Sequence, residues 1–314
     1  MRLIIVFAFT VTSTIVIAEN TELNAQQWLE KMSRAMKELN FHGTVAFFKN
    51  GRLDTMNYFH TFDHNLEQEK LLSLNSPMRE VTREAGKVSC VFKDSKQVVV
   101  NHRPVSQSFL VDLPIDFSAS NSVYFFALLG EESVAMLPTR VISIEAKDKY
   151  RYNRKIWIDI QYFLPLKIEV YSLTGETLEQ VVFTNLKVET RAEFIKVENK
   201  LEAKEIKHIQ QVESFSFDQA DFVLTNLPSA FKSVFFTQMK VNDSTNPVDH
   251  LLLSDGFSSI SVYREAKSDD IQLGLQSLGT VNSFTHLIDD FQITAMGEVP
   301  AETVQFIAQG IKLK

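Results

Sequence analysis

The feature that most constrains the fold of this chain is an apolar alternation of period two, repeated in short segments after Asn40. Successive side chains of a strand point to opposite faces, so this pattern is typical of half-buried β-strands. Turn signals separate the segments, and Asn50-Gly51 is the strongest because both residue types tolerate the positive φ angles of a two-residue hairpin. Between Val45–Phe48 and Thr177–Val188 the alternation predicts roughly nine antiparallel strands.

Two helices are predicted beside these strands. In the first, with Thr21 and Asn24 as candidate caps, apolar residues recur at the spacing of one helix face: Leu29, Met32, Met36 and Leu39. The run Val123–Leu129 is the most apolar segment after residue 18 and ends at Gly130, which predicts a short buried helix. Twisted sheets of this size tend to close. We therefore expect a half-closed antiparallel β-barrel with a helix lid.

The domain organisation follows from length and from a change in composition. A chain of 314 residues with 45% apolar residues can build two cores. Residues 191–210 mix charges of both signs without Gly or Pro, which predicts a solvated linker. The expected domains are therefore 19–190 and 211–314, the second a smaller α+β domain with a hairpin at Asp255-Gly256 and a closing helix. The predicted fold class is α+β.

Residues 1–18 have the order of a secretory signal. Arg2 is followed by the apolar run Leu3–Phe9, and Val16-Ile17-Ala18 places small or short residues where a signal peptidase cleaves. The alternative is a membrane anchor, but the apolar stretch is only about 15 residues and a spanning helix needs roughly 20. We therefore expect an exported protein that is released into the periplasm.

Charge and motifs exclude several function classes. The net charge is −7 and no basic stripe is present, which disfavours nucleic-acid binding. The sequence lacks the motifs G-x-S-x-G, H-E-x-x-H, G-x-G-x-x-G and the P-loop. His60 and His64 have a helical metal spacing but lie in a predicted strand and turn. We expect no enzyme activity, no metal and no cofactor.

A half-closed sheet under a helix can enclose an apolar cavity, and eight-stranded barrels are already wide enough for one small ligand. Three neighbouring strands carry apolar residues on a shared face, and these are the candidate lipid-pocket residues: Ile142, Ile144, Ile156, Ile158, Leu166 and Ile168. The alternative, a filled core, remains open on sequence grounds.

The order of several short motifs resembles the RseB/MucB family over residues 23–313. The motifs are Ser76–Val81, Arg151-Tyr152, Ile156–Asp159, Leu164–Lys167, Gly175–Gln180, Ser254–Val262, Gly297–Pro300 and Ile307–Lys312. The block formed by Trp157–Asp159 and Leu164-Pro165 is less specific on its own, because lipoprotein carriers of the LolA/LolB type have something similar. The motifs after residue 211 distinguish the two families.

The resemblance implies a periplasmic negative regulator of the sigma-E envelope-stress response. Such a protein binds the periplasmic segment of a membrane anti-sigma factor of the RseA/MucA type and shields it from the site-1 protease. The resemblance also implies a first domain like a lipoprotein carrier, with lipopolysaccharide or mislocalised lipoprotein as ligands that release inhibition. The alternative function is a periplasmic lipoprotein carrier, which residues 211–314 argue against. A secreted hydrolase lacks any constellation of catalytic residues.

Cleavage after Ala18 is directly testable. The intact mass of the protein purified from the periplasm should equal that of residues 19–314, because the small residues at Val16-Ile17-Ala18 place the cut before Glu19. Recovery of a species that retains Met1, or that fractionates with membranes, would contradict this assignment.

Overall fold

The computed structural model describes residues 22–75, 78–84, 87–92, 97–102, 108–111, 113, 117, 120–190, 205–208, 215–239, 248–268 and 271–314. Within these ranges the chain is mostly β-structure, with two α-helices, α1 (Ala25–Glu38) and α2 (Ala301–Gln309). Neither helix of the described part is long and apolar enough to cross a lipid bilayer. The predicted signal at residues 1–18 lies outside the described residues.

The first sheet has twelve strands in the order β12-β6-β5-β4-β3-β2-β1-β11-β10-β9-β8-β7. Their bounds are β1 (Asn40–Lys49), β2 (Arg52–Asp63), β3 (Leu66–Ser73), β4 (Arg79–Glu84), β5 (Lys87–Phe92), β6 (Gln97–His102), β7 (Tyr124–Val134), β8 (Leu137–Ala146), β9 (Asn153–Asp159), β10 (Pro165–Tyr171), β11 (Thr177–Glu189) and β12 (Glu205–His208). All pairs are antiparallel except β12 with β6. The strand β12 lies inside the segment predicted as a linker, so residues 205–208 belong to this sheet.

Helix α1 begins after Asn24, the second of the two candidate caps. The side chain of Asn24 accepts a hydrogen bond from the backbone N–H of Gln27, and the Gln27 side chain accepts one from the Asn24 N–H. This reciprocal pair satisfies two of the amides that a helix start leaves free. The apolar face of α1 packs against the first sheet in one buried cluster that includes Leu29, Met32 and Met36.

The predicted helix at Val123–Leu129 is wrong. Apart from Val123 this segment lies in β7, which is the terminal strand of the first sheet and pairs with β8. An uninterrupted apolar run does not distinguish a buried helix from a strand, because apolar side chains on both faces hide the period of two. Gly130 does not end a helix: its φ angle is +125°, and it follows a break in register after Leu128.

The second sheet has six antiparallel strands in the order β14-β15-β16-β19-β18-β17. Their bounds are β14 (Lys232–Met239), β15 (Val248–Ser254), β16 (Ser259–Ala266), β17 (Gly274–Leu278), β18 (Val281–Ile288) and β19 (Phe291–Gly297). Helix α2 packs on this sheet, and its Val304, Ile307 and Ala308 belong to a second buried cluster. A short pair, β13 (Phe222–Leu224) with β20 (Ile311–Leu313), completes this part of the chain.

The packing of α1 on the first sheet can be tested with two methionines. Met32 is fully buried on α1, whereas Met136 in the β7–β8 turn is 96% exposed. We expect Met32→Ala to lower the free energy of unfolding by about 2–5 kcal/mol, because deletion leaves a cavity. Urea unfolding followed by tryptophan fluorescence measures this, since Trp28 and Trp157 both lie in this cluster.

Met136→Ala is the matched control and should leave the unfolding midpoint unchanged, because its side chain is in solvent in both states. Equal destabilisation by the two substitutions would show that α1 does not stabilise the sheet.

Candidate functional site at the contact between the two sheets

The six candidate lipid-pocket residues lie together, as their shared strand faces predict. Ile142, Ile144, Ile156, Ile158 and Leu166 are fully buried in the cluster that contains α1, and Ile168 is nearly so. Ile168 also lines a cavity between the two sheets, described below. Contact of these residues with a lipid stays a prediction.

A buried arginine joins the two sheets. Arg151 lies just before β9 and is fully buried, and its Nε donates a hydrogen bond to Oδ2 of Asp255 at 2.7 Å. Its terminal nitrogens donate to the Asp148 carboxylate and to the Ser229 carbonyl. A buried charge is tolerated only when it is paired and hydrogen-bonded. Arg151 meets that requirement with acceptors from both parts of the chain.

Asp255 is held in place by its own hairpin. Its Oδ1 accepts hydrogen bonds from the backbone N–H groups of Phe257 at 3.0 Å and Ser258 at 2.8 Å. Oδ2 is left for the first sheet, where it accepts from Arg151 and from the Tyr124 hydroxyl at 2.8 Å. Burial, and then the Asp255 charge, raise the pKa of Tyr124 well above its usual range. Tyr124 is therefore a neutral hydrogen-bond donor to this carboxylate.

The same hairpin inserts an aromatic ring into the first core. Phe257 lies against Tyr124, with ring centroids 4.9 Å apart, and against Phe117 at 5.8 Å. Beside it, Arg154 of β9 donates from Nη2 to the Phe257 carbonyl at 3.1 Å and to the Ser258 hydroxyl at 3.0 Å. Apolar packing and ionic contacts therefore converge on one turn of the second sheet.

A second contact lies further along the two sheets. Lys49 at the end of β1 pairs with Glu298 at 2.6 Å and with Glu179 of β11 at 3.0 Å. Burial opposes the charge of Lys49, but these carboxylates outweigh it and raise its pKa. Glu179 also accepts a hydrogen bond from Thr280, and the Asn282 side chain donates one to the hydroxyl of Tyr152. The contact at Arg151 and the contact at Lys49 together limit rotation of one sheet against the other.

Between the two contacts lies a cavity of about 290 Å³. Apolar side chains from both sheets line part of it, including Ile168, Val181 and Phe257. Arg154 also faces it, and its Nη1 is buried without a hydrogen-bond partner among the described residues. The cavity therefore combines apolar walls with one arginine and the carboxylates of Glu179 and Glu298.

One group of side chains has the composition of a metal site. Ligand atoms of His60, Glu67 and Glu69 lie within 4.8 Å of one another. Arg83, however, donates to Glu67 at 2.6 Å and to Glu69 at 2.8 Å, so a guanidinium already supplies the positive charge that a metal would bring. Burial opposes ionisation of Glu67, but hydrogen bonds from His60 and Arg83 outweigh it and lower its pKa to about 2. This cluster is a buried ion-pair network.

Sequence reasoning missed the role of Asp255. The segment Ser254-Asp255-Gly256 is an ordinary hairpin turn in its local pattern, and the structure confirms the turn between β15 and β16. Its ionic partner Arg151 lies 104 residues earlier, so no local spacing connects them. Both residues nevertheless fall in segments that carry the family resemblance.

Comparison with known proteins gives relatives over nearly the whole chain. The sigma-E factor regulatory protein RseB of Escherichia coli K12 is 26% identical over 287 residues, which cover 90% of this chain and 89% of the relative. The sigma factor AlgU regulatory protein MucB of Pseudomonas aeruginosa is 26% identical over 298 residues, covering 92% and 91%. A crystal structure of MucB in complex with MucA(peri) has the same fold, with a TM-score of 0.70, 24% identity and coverage of 93% and 99%.

Two family models match in succession along the sequence. The MucB/RseB N-terminal domain matches residues 24–210, which include α1 and the whole twelve-stranded sheet. The MucB/RseB C-terminal domain matches residues 216–312, which include the six-stranded sheet and α2. The chain that joins these two sheets through Arg151 and Asp255 therefore belongs to the MucB/RseB family.

Proposed function

We propose that this protein is a periplasmic regulator of a sigma-E-type factor and acts by binding the periplasmic segment of a membrane anti-sigma factor. The observation that carries the proposal is the succession of both family domains along one chain. A relative that matches 90% of this chain is named as a sigma-E factor regulatory protein, and MucB was crystallised with MucA(peri). Binding, rather than catalysis, is the activity of such a protein.

We infer domains at residues 19–190 and 211–314, with the first a half-barrel curled around α1, and a connection between them whose residues 205–208 pair with the first sheet as β12. On a flat sheet β2 and β7, six places apart, would be roughly 29 Å from each other at about 4.8 Å per strand. Helix α1 nevertheless contacts both strands. This supports a sheet that curves around the helix, which is the geometry of a lipoprotein carrier with a helix lid.

We further propose that lipid regulates partner binding through the cavity between the two sheets. The side chains of Ile168, Val170 and Val181 suit acyl carbons, and the Arg154 side chain suits an anionic headgroup such as a phosphate of lipopolysaccharide. The carboxylates of Glu179 and Glu298 also line the cavity, and both are paired with Lys49. The cavity is bounded by Phe257, Ser258 and Glu298, which belong to the second sheet or its turns. A ligand there contacts both sheets and so favours one arrangement of them over another.

The proposed function predicts competition between partner and lipid. The periplasmic segment of the cognate anti-sigma factor should bind residues 19–314, and saturating lipopolysaccharide should weaken that binding about 5–150-fold, the range of a coupling of 1–3 kcal/mol. Isothermal titration calorimetry with and without lipid measures the partner affinity and the change that lipid causes in it. Absence of partner binding would overturn the regulatory function, whereas equal affinities would overturn only the lipid-sensing part.

Two valine substitutions locate the lipid site. Val170 lines the cavity, so Val170→Phe should fill part of it and reduce the effect of lipid on partner affinity. Val234 on β14 is exposed, and Val234→Phe should retain the full lipid effect. The same lipid response in both variants would place the lipid elsewhere.

The contact between the domains gives a separate prediction. Asp255→Ala removes the carboxylate that Arg151 and Tyr124 share, and loss of one partner of a buried ion pair costs about 3–5 kcal/mol. We expect faster trypsin cleavage between residues 191 and 214, because the two domains separate more often. Asp290→Ala, in the exposed turn after β18, is the matched control. Equal cleavage rates for the two variants would show that this ion pair does not hold the domains together.

A further inference from the structure

The twelve-stranded sheet ends at β7, and among the described residues no strand pairs with its outer edge. The strand spans Tyr124–Val134, longer than most edge strands. Free edges of this length offer backbone groups to another chain, and soluble proteins usually block them with charges, proline or a covering element. The first half of β7 carries none of these blocking residues and is instead the apolar run Phe125–Leu129.

The direction of the free backbone groups follows from the ladder with β8. The N–H of Lys147 donates to the Val123 carbonyl, so these two residues form a hydrogen-bonded pair. Such pairs alternate along an antiparallel ladder, so Phe125 and Ala127 also bond to β8. The N–H and C=O groups of Phe126 and Leu128 therefore point away from β8, towards the free edge. Only another polypeptide backbone matches this alternation of donors and acceptors at strand spacing.

Apolar side chains lie along the same edge. Phe125 is 57% exposed and Leu129 is 52% exposed, and Leu128 between them is also exposed. At the start of β7 a groove of about 310 Å³ runs between Tyr124–Phe126 and the first residues of α1, Ala25 and Gln26. The edge therefore offers both backbone hydrogen bonds and a recess for an apolar side chain.

Charge distinguishes the two ends of this edge. Beyond the apolar run, Glu131 and Glu132 are exposed, and Glu131 shares its partner Arg140 with Glu22. Two of these carboxylates, Glu22 and Glu131, share one guanidinium, and that of Glu132 accepts a hydrogen bond from the Trp157 indole, so the far end of the edge is acidic. A partner strand that fits has apolar residues at alternate positions and a lysine or arginine beside Glu131 and Glu132.

We propose that an extended segment of the anti-sigma factor, apolar with a basic end, binds by adding a strand to the free edge of β7. The inference rests on the proposed function and names the surface that performs it. Backbone pairing supplies the affinity in this mode of recognition, and side-chain recesses supply the specificity. The edge β17 of the second sheet also exposes leucines, but its five residues offer a shorter ladder.

Amide hydrogen exchange, resolved to single residues, tests the proposal on the unmodified protein. We expect the amides of Phe126 and Leu128 to exchange quickly in the free protein and at least about tenfold more slowly with the anti-sigma segment bound. The amides of Phe125 and Ala127 already bond to β8 and serve as internal references. Protection that depends on the concentration of this protein alone would identify a second copy as the occupant and overturn the proposal.

A proline supplies the complementary test. Leu128→Pro removes one outward N–H and leaves the bonds to β8, and proline is accepted on such edges. We expect it to weaken binding about tenfold or more, the effect of one lost hydrogen bond with an unsatisfied partner. Leu128→Ala keeps the N–H and should lose less than about threefold.

The outcomes separate this inference from the proposed function. If the wild-type protein fails to bind the anti-sigma segment, the proposed function is overturned. If it binds but Phe126 and Leu128 remain unprotected, or if Leu128→Pro binds as well as Leu128→Ala, the edge of β7 is not the binding surface.

Discussion

The buried ion pair between Arg151 and Asp255 fixes how the two sheets of this protein meet. Placing two charges in a buried interface is costly unless the geometry satisfies them, so the pair favours one arrangement more than it adds net stability. Here the Asp255 carboxylate is held by its own turn and by Tyr124, and Arg151 is held by Asp148. A rotated arrangement would break several of these bonds together. The orientation of the domains is therefore well defined although their contact is polar.

The same contact explains how a ligand can act on the whole molecule. Arg154 and Phe257 belong both to the contact between the sheets and to the wall of the cavity. A group that entered the cavity and bonded to Arg154 would compete with, or add to, the hydrogen bonds that hold the hairpin at Phe257. Occupancy of the cavity would be coupled to the orientation of the domains because Arg154 and Phe257 take part in both, and no long pathway between distant sites is needed.

Sequence reasoning succeeded where the signal was local. The cap at Asn24 and the hairpin at Asn50-Gly51, whose φ angles are 56° and 71°, follow from side-chain chemistry and backbone sterics within a few residues. It failed where the determinant was distant or masked. The strand β17 was missed because its exposed leucines do not alternate with polar residues. The site at Asp255 was missed because its partner Arg151 is joined to it only by the folded chain.

The error at β7 has a physical origin that bears on function. An edge strand with one face in the core needs apolar residues only at alternate positions, and solvent favours polar residues elsewhere. Phe125 and Leu129 are apolar without being buried, so packing within this chain does not account for them. Exposed apolar residues beside free backbone groups increase the risk of aggregation. That risk is reduced if another polypeptide covers the edge.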